Sequence, residues 1–143
     1  MNNFFVTKVK NLRESLPPNQ GDPLSLLRRI MANRKCSFKL KCVHPDAVSK
    51  IISKMRSSSS CGLDLINSRI IKLARPQLVP VITHLINLSI SSQRFPDSWK
   101  VSKVVPLHKK GELIHPQNYR PVSLLQVLST VLARVIFEQM ILP

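Results

Sequence analysis

The sequence predicts a mostly helical α+β fold with one β-hairpin. Several segments repeat apolar residues at the spacing of an amphipathic helix. A valine-rich run over residues 99–108 ends at a Lys-Lys-Gly turn, and residues 119–123 would return beside it after a short loop. With 143 residues, of which 43% are hydrophobic, the chain is long enough to build one domain around a modest core.

The N-terminal part begins with polar residues. Residues 1–21 contain two adjacent prolines and a glycine, which predict a loosely ordered leader. Asp22 followed by Pro23 is typical of a helix start, and this short helix is expected to run to about Asn33. Residues 36–43 alternate apolar and polar side chains, which is the pattern of a half-buried strand.

The middle of the chain contains two further helix starts. Pro45 opens a helix with one apolar face, and Asn67 is placed to cap a helix that runs through Ala74. Between them, residues 57–60 are four serines in a row. Because serine contributes little to a core, this loop is expected to be flexible or to face a ligand.

The C-terminal half contains two longer apolar helices around the hairpin. Pro76 marks a boundary before a helix over residues 77–92, with Pro80 in its first turn and His84 in its core. Trp99 is expected to anchor the start of the first strand. The last helix follows Leu124, and we expect one apolar face of it to stay partly uncovered. That face comprises Leu128, Val131, Leu132 and Val135.

The charge of the chain indicates a polyanionic partner. Lysine and arginine total 22 against seven acidic residues, so the net charge is +15. Nucleic acid fits this charge better than an anionic membrane surface does. Neither a secretory signal nor an uninterrupted transmembrane stretch is present, and Cys36, Cys42 and Cys61 form no disulfide framework. We therefore expect an intracellular protein of the cytoplasm or nucleus.

Three cations flank the predicted hairpin loop: Lys109, Lys110 and Arg120. A hairpin would bring them close together, and a guanidinium with a neighbouring lysine suits the phosphates of a triphosphate. The alternative is a solvated hairpin tip, since charged runs are usually surface. The spacing of the residues leaves both interpretations open.

Four motifs give the chain a family resemblance. They are Ser60-Cys-Gly-Leu-Asp64, Phe95-Pro-Asp-Ser-Trp-Lys100, Pro106-Leu-His-Lys-Lys-Gly111 and Asn118-Tyr-Arg-Pro-Val-Ser-Leu-Leu125. Over roughly residues 36–142 the chain resembles the reverse transcriptases of non-LTR (LINE-type) retrotransposons. The resemblance implies the fingers portion of a right-hand polymerase, with palm and thumb missing. It divides the chain into a leader, residues 1–35, and a partial reverse transcriptase domain, residues 36–143.

The resemblance also implies roles for particular residues. Arg120 would contact the phosphates of an incoming dNTP, with Lys109 as the better companion and Lys110 as the second choice. A template-contacting segment would comprise Ser60, Gly62 and Asp64. Asp64 has an alternative role as a loop carboxylate that caps the turn ahead of Asn67.

Catalysis is not expected from the isolated chain. Two-metal phosphoryl transfer needs clustered carboxylates, and the family carries them further along than Pro143. The acidic residues here are scattered, so we expect no catalytic residue and no metal site, with Mg²⁺ needed only by the complete enzyme. The family commonly has lysine and glutamate where this chain has Thr130 and Ala133, which would suit a decayed copy. The expected partners are template RNA, primer DNA and dNTP, together with the missing palm segment or a second copy through the last helix.

Competing interpretations carry less weight. Cys36, Cys42 and His44 offer metal-binding side chains, but their spacing fits no common zinc pattern and a fourth ligand is not evident. His108 and His115 flank the basic loop, where their titration would modulate phosphate binding. The alternative function is a small basic helical RNA-binding or membrane-surface protein with no enzymatic role.

Overall fold

A computed structural model describes residues 2–17, 22–32 and 38–141 of the chain. Within these residues the fold contains six α-helices and one two-stranded hairpin, which confirms the mostly helical α+β prediction. The helices are α1 (Asn2–Ser15), α2 (Pro23–Met31), α3 (Pro45–Lys54), α4 (Ser68–Leu73), α5 (Arg75–Ser92) and α6 (Val127–Ile141). The strands are β1 (Lys103–His108) and β2 (Tyr119–Leu124).

The described chain divides into two compact units. The first unit comprises Met1–Lys39 with Pro106–Pro121, and the second comprises Leu40–Val105 with Val122–Pro143. The second unit contains a hydrophobic core in which α3 packs against α4, α5 and α6. The buried apolar side chains of this core are Val48, Ile51, Ile52, Ile71, Val79, Ile82, Ile86, Trp99, Val127, Val131, Leu132 and Val135.

Helix α3 is the centre of the second unit. Pro45 occupies its first turn, and the Nδ1 atom of His44 accepts a hydrogen bond from the backbone N–H of Asp46. Its apolar face buries Val48, Ile51 and Ile52, as the sequence predicts. Full burial of such aliphatic side chains stabilises a fold by about 1.5–3 kcal/mol each.

The apolar face of α6 is largely covered, so the expectation of a partly open face is wrong for three of its four residues, and only Leu128 is half-buried. Val131 and Leu132 are fully buried, and Val135 is nearly so. These side chains join the core that α3 and α5 build. The apolar spacing predicted a face that needs cover, but only the fold reveals that α3 supplies it. Large apolar side chains stay exposed toward the end of the helix, at Phe137, Met140 and Ile141.

Residues 38–44 run without regular secondary structure, so the strand predicted here is wrong over its described part; residues 36 and 37 lie outside the described residues. Two side-chain amides replace the partner strand. Asn87 of α5 accepts from the N–H of Val43 (2.8 Å) and donates to its C=O (3.0 Å). Gln139 of α6 does the same for Lys41, at 2.8 and 2.9 Å. The alternating pattern therefore belongs to an extended segment that amides hold.

Helix α5 differs from its prediction in two details. It begins at Arg75, so Pro80 lies inside the helix rather than in its first turn. Proline has no N–H to donate there, and the helix loses one internal hydrogen bond. His84 is exposed, so its assignment as a core histidine is wrong. The predicted cap of α4 is confirmed, because Asn67 accepts from the N–H of Ile70 at 3.0 Å.

The first unit contains α1 and α2. Helix α1 occupies residues for which the sequence analysis predicts a loosely ordered leader. The polar composition of these residues did not predict a helix. An ion pair between Lys10 and Glu14 (3.9 Å), one helical turn apart, supports it. Helix α2 confirms the predicted start, since Asp22 accepts from the N–H of Leu24 at 3.0 Å. The described helices include none with the length and apolar character required to cross a membrane.

Candidate functional site

The outer part of the hairpin has a defined register. The backbone N–H of Lys109 donates to the C=O of Asn118 at 2.7 Å. The rings of His108 and Tyr119 meet edge to face, with centroids 5.3 Å apart. Directly opposed residues of paired strands share one face, and successive residues alternate between faces. The register therefore assigns Lys109 and Arg120 to one face and His108 and Tyr119 to the other.

The loop between the strands is braced by side chains that follow it. Asn118 Nδ2 donates to the C=O of Glu112 (2.8 Å), and the Tyr119 hydroxyl donates to the C=O of Leu113 (2.9 Å). Gly111 has a φ of +83°, and a Cβ on it would lie 2.6 Å from Asn118 Nδ2. The bracing roles of Asn118 and Tyr119 were not predicted from the sequence, although asparagine side chains often hydrogen-bond nearby backbone groups in turns.

The three predicted phosphate ligands are all exposed on this hairpin. Lys109, Lys110 and Arg120 take part in no ion pair among the described residues. The nearby carboxylate of Glu112 is engaged by His115, with 3.1 Å between Oε2 and Nε2. The hairpin thus presents cationic side chains that are available to an external anion.

The predicted template segment lies in the second unit. Gly62 is buried against Gln126, and a Cβ at residue 62 would lie 2.9 Å from the backbone nitrogen of Gln126. Asp64 Oδ1 accepts from the N–H of Ile66 at 3.2 Å, so its turn-capping role is present. Ser60 is exposed, and its N–H donates to a neighbouring serine hydroxyl.

A buried serine that was not predicted from the sequence, Ser68, holds the serine loop of residues 57–60. Ser68 Oγ donates to the C=O of Arg56 (2.9 Å) and accepts from the N–H of Ser58 (2.9 Å). An isolated bridge between Cys61 and Asn67 closes the next loop, residues 62–66. The loop predicted as flexible or ligand-facing is therefore tied at its base to the start of α4.

The segment before β1 is anchored by its tryptophan, as predicted. Trp99 is buried and meets Phe95 edge to face at 6.3 Å, although it lies in a 3₁₀ turn ahead of the strand. In the same turn Lys100 Nζ lies 2.6 Å from Asp97 Oδ1. The hydrogen bond and charge of Lys100 hold the pKa of Asp97 below its usual value of 3.8.

Metal-binding side chains do not gather in the part of the chain that the structure describes. Among those residues, no three of the His, Cys, Asp and Glu side chains are placed to hold a metal ion. Cys42 is an exposed free thiol, and Cys61 is a partly exposed one. Cys36, the remaining member of the cysteine and histidine set, lies outside the described residues.

Comparison with known proteins finds several similar sequences. The chain is 27% identical over 138 residues to the RNA-directed DNA polymerase from mobile element jockey of Drosophila melanogaster, which covers 93% of this chain. It is 32% identical over 93 residues, 64% of the chain, to the probable polymerase from transposon X-element of the same species. The chain is a relative of the non-LTR retrotransposon RNA-directed DNA polymerases.

A third relative supports the same relationship. The probable RNA-directed DNA polymerase from transposon BS of Drosophila melanogaster is 26% identical over 105 residues, or 73% of the chain. The chain spans only 15%, 10% and 12% of the lengths of these three relatives. No protein-family model matches it. It therefore corresponds to a small part of each retrotransposon polymerase.

The two positions at which this chain departs from the resembled family lie close together on α6. Thr130 and Ala133 line a cavity of about 470 Å³ between α3 and α6. Arg134 stacks over the ring of Phe137 at its edge, with the guanidinium carbon 5.6 Å from the ring centroid. Both departures occur at exposed positions beside the buried face of α6, so they leave the core of the second unit intact.

Proposed function

We propose that this chain forms part of the fingers of a LINE-type RNA-directed DNA polymerase and grips nucleotide and template there. The observation that carries this function is the braced hairpin, which presents Lys109 and Arg120 on one face without ion-pair partners among the described residues. The names of the three relatives support it, because each is an RNA-directed DNA polymerase of a mobile element. They do not favour a small RNA-binding or membrane-surface protein.

Arg120 is the principal phosphate ligand in this function. Its guanidinium offers a planar fork of donors that matches two oxygens of one phosphate of a dNTP. Lys109 is its companion, because the register assigns both residues to one face of the hairpin. Lys110 lies in the bend beyond the paired residues, so the register does not align it with Arg120, which favours Lys109 over Lys110 for the same phosphate chain.

The segment from Ser60 to Asp64 contacts the template strand. Gly62 contributes by shaping the loop, since it is packed against Gln126. Asp64 caps the turn through Oδ1, which leaves Oδ2 as an acceptor for a ribose 2′-hydroxyl of RNA. Ser60 offers an exposed hydroxyl to the same strand.

Catalysis and magnesium are assigned to other parts of the polymerase. Mg²⁺ requires a set of oxygen ligands, and the described residues bring no such set together. The end of α6 exposes apolar side chains that are available to the rest of the polymerase or to a second copy. They are Phe137, Met140 and Ile141. An enzyme part that grips template RNA would act inside the cell.

Binding of a labelled single-stranded RNA at increasing salt tests this function against its alternative. Contacts with phosphates make the logarithm of affinity fall linearly with the logarithm of salt concentration, by about 0.7 per contact for a single strand. We expect this behaviour for the wild-type chain, and weaker binding to vesicles of anionic lipid. Vesicle binding without RNA binding would favour a membrane-surface protein instead.

A further inference from the structure

The tip of the hairpin loop carries two apolar residues at the corners of a tight turn. The N–H of His115 approaches the C=O of Glu112 at 3.4 Å, which places Leu113 and Ile114 at the two central positions. Such positions normally hold glycine, proline, asparagine or aspartate. Here Leu113 is 66% exposed and Ile114 is 79% exposed. The turn thus exposes two apolar side chains at positions where its backbone conformation does not require them.

This display is fixed by the hydrogen bonds that brace the loop. The Tyr119 hydroxyl holds the C=O of Leu113, and Asn118 holds the C=O of Glu112. Both bonds engage backbone carbonyl groups, so the side chains of Leu113 and Ile114 are left to solvent. The conformation of the tip is therefore set before any ligand arrives, which lowers the cost of ordering it on binding.

The charges around the tip identify the chemistry of a ligand. Lys109 and Lys110 lie just before the turn, and the only acidic residue of the loop, Glu112, is engaged by His115. A ligand that matches this surface presents apolar faces beside negative charges. An unpaired base next to a phosphate backbone has this combination, and apolar side chains are known to wedge between base steps.

We propose that Leu113 and Ile114 pack against the first unpaired base at a junction between single strand and duplex. Lys110, which is exposed in the bend just before the turn, contacts a phosphate of the same strand. The inference rests on the proposed function, because it takes nucleic acid as the ligand of this unit. It adds a contact with bases to the contacts with phosphates already assigned.

The test uses an RNA–DNA duplex with a single-stranded RNA overhang, whose first unpaired base is 2-aminopurine. A second probe has an abasic residue at that position. We expect the wild-type chain to change the fluorescence of 2-aminopurine and to bind this probe roughly threefold to tenfold more tightly than the abasic probe. In Leu113→Ser/Ile114→Ser the preference should disappear while the salt dependence of binding stays. Leu73→Ser/Leu88→Ser, which changes two exposed leucines of the other unit, is the matched control and should keep the preference.

Four results would overturn the inference, and they differ in whether they also overturn the proposed function. If the wild-type chain binds both probes equally with a normal salt dependence, the base contact is wrong and the proposed function stands. Retention of the preference in Leu113→Ser/Ile114→Ser would place the base contact elsewhere. If the wild-type chain binds neither probe, the proposed function and the base contact both fail. Binding of the wild-type chain to anionic vesicles that the tip variant alone loses would assign the tip to a membrane.

Discussion

Gly62 and Gln126 are packed so closely that no side chain fits between them: a Cβ on residue 62 would lie 2.9 Å from the Gln126 backbone nitrogen. Gln126 also donates through Nε2 to the C=O of Ser98 at 3.0 Å. One buried glutamine thus joins the loop of Gly62, the turn of Trp99 and the start of α6. The glycine of the Ser60–Asp64 motif therefore has a packing reason that is independent of any template.

Replacement of Gly62 by alanine should destabilise the second unit. The added methyl group meets backbone atoms that cannot move aside, and overpacking of this kind costs about 1–3 kcal/mol. Urea unfolding followed by circular dichroism measures the free energy of unfolding. Ser59→Ala, in the exposed serine loop, is the control and should stay within about 0.5 kcal/mol of the wild type. An unchanged midpoint for Gly62→Ala would mean that the two segments separate readily.

The two amides that hold residues 38–44 should contribute unequally. Asn87→Ala leaves the N–H and C=O of partly buried Val43 without partners, at a cost of about 1–3 kcal/mol. Gln139→Ala frees the exposed backbone of Lys41, which water can satisfy, so its cost should be smaller. The same unfolding measurement compares the two variants. Equal losses would contradict the ranking by burial.

The brace on the hairpin loop should matter for triphosphate binding more than for folding. Asn118→Ala removes the hydrogen bond to the C=O of Glu112, so the loop that carries Lys109 loses its fixed shape. We expect weaker binding of a fluorescent dNTP with an almost unchanged unfolding midpoint, because this loop is exposed. Gln117→Ala, at the neighbouring exposed position, serves as the control. A large loss of stability in Asn118→Ala would instead make the brace part of the fold.

The titration of Asp97 offers a check on the turn before β1. Lys100 holds the pKa of Asp97 below 3.8, so the ion pair favours the folded state above that value. This contribution is lost as pH falls through the lower pKa of the folded protein. Carboxyl-carbon NMR should find the Asp97 midpoint below 3.8 in the wild type and higher in Lys100→Ala. Identical midpoints in the two proteins would exclude the contact in solution.

Local signals predicted much of this fold. The caps at Asp22, His44 to Pro45 and Asn67 depend on residues within one helical turn, and each helix start was predicted close to its observed position. The hairpin was also predicted, because a turn motif between two extended arms is a local pattern. The polar composition of residues 2–15 nevertheless concealed α1.

Contacts between distant residues explain the failures. The bonds from Asn87 and Gln139 to residues 38–44 and the covering of α6 by α3 depend on segments far apart in the chain. For the same reason the packing of Gly62 on Gln126 was not predicted. The site residues Lys109, Lys110, Arg120, Ser60, Gly62 and Asp64 came from the family resemblance, and their contacts with nucleotide and template stay predictions.

The affinity of the chain for a dNTP, measured in wild type and Arg120→Ala, tests the central claim most directly. Loss of a charge-assisted contact should weaken binding roughly tenfold to a hundredfold. Lys109→Ala should weaken it more than Lys110→Ala, because the register of the hairpin aligns Lys109, and not Lys110, with Arg120. Arg94→Ala removes an equal charge from an exposed position of the second unit and should leave affinity unchanged. Equal affinities for wild type and a folded Arg120→Ala would contradict the assignment of this hairpin to the triphosphate.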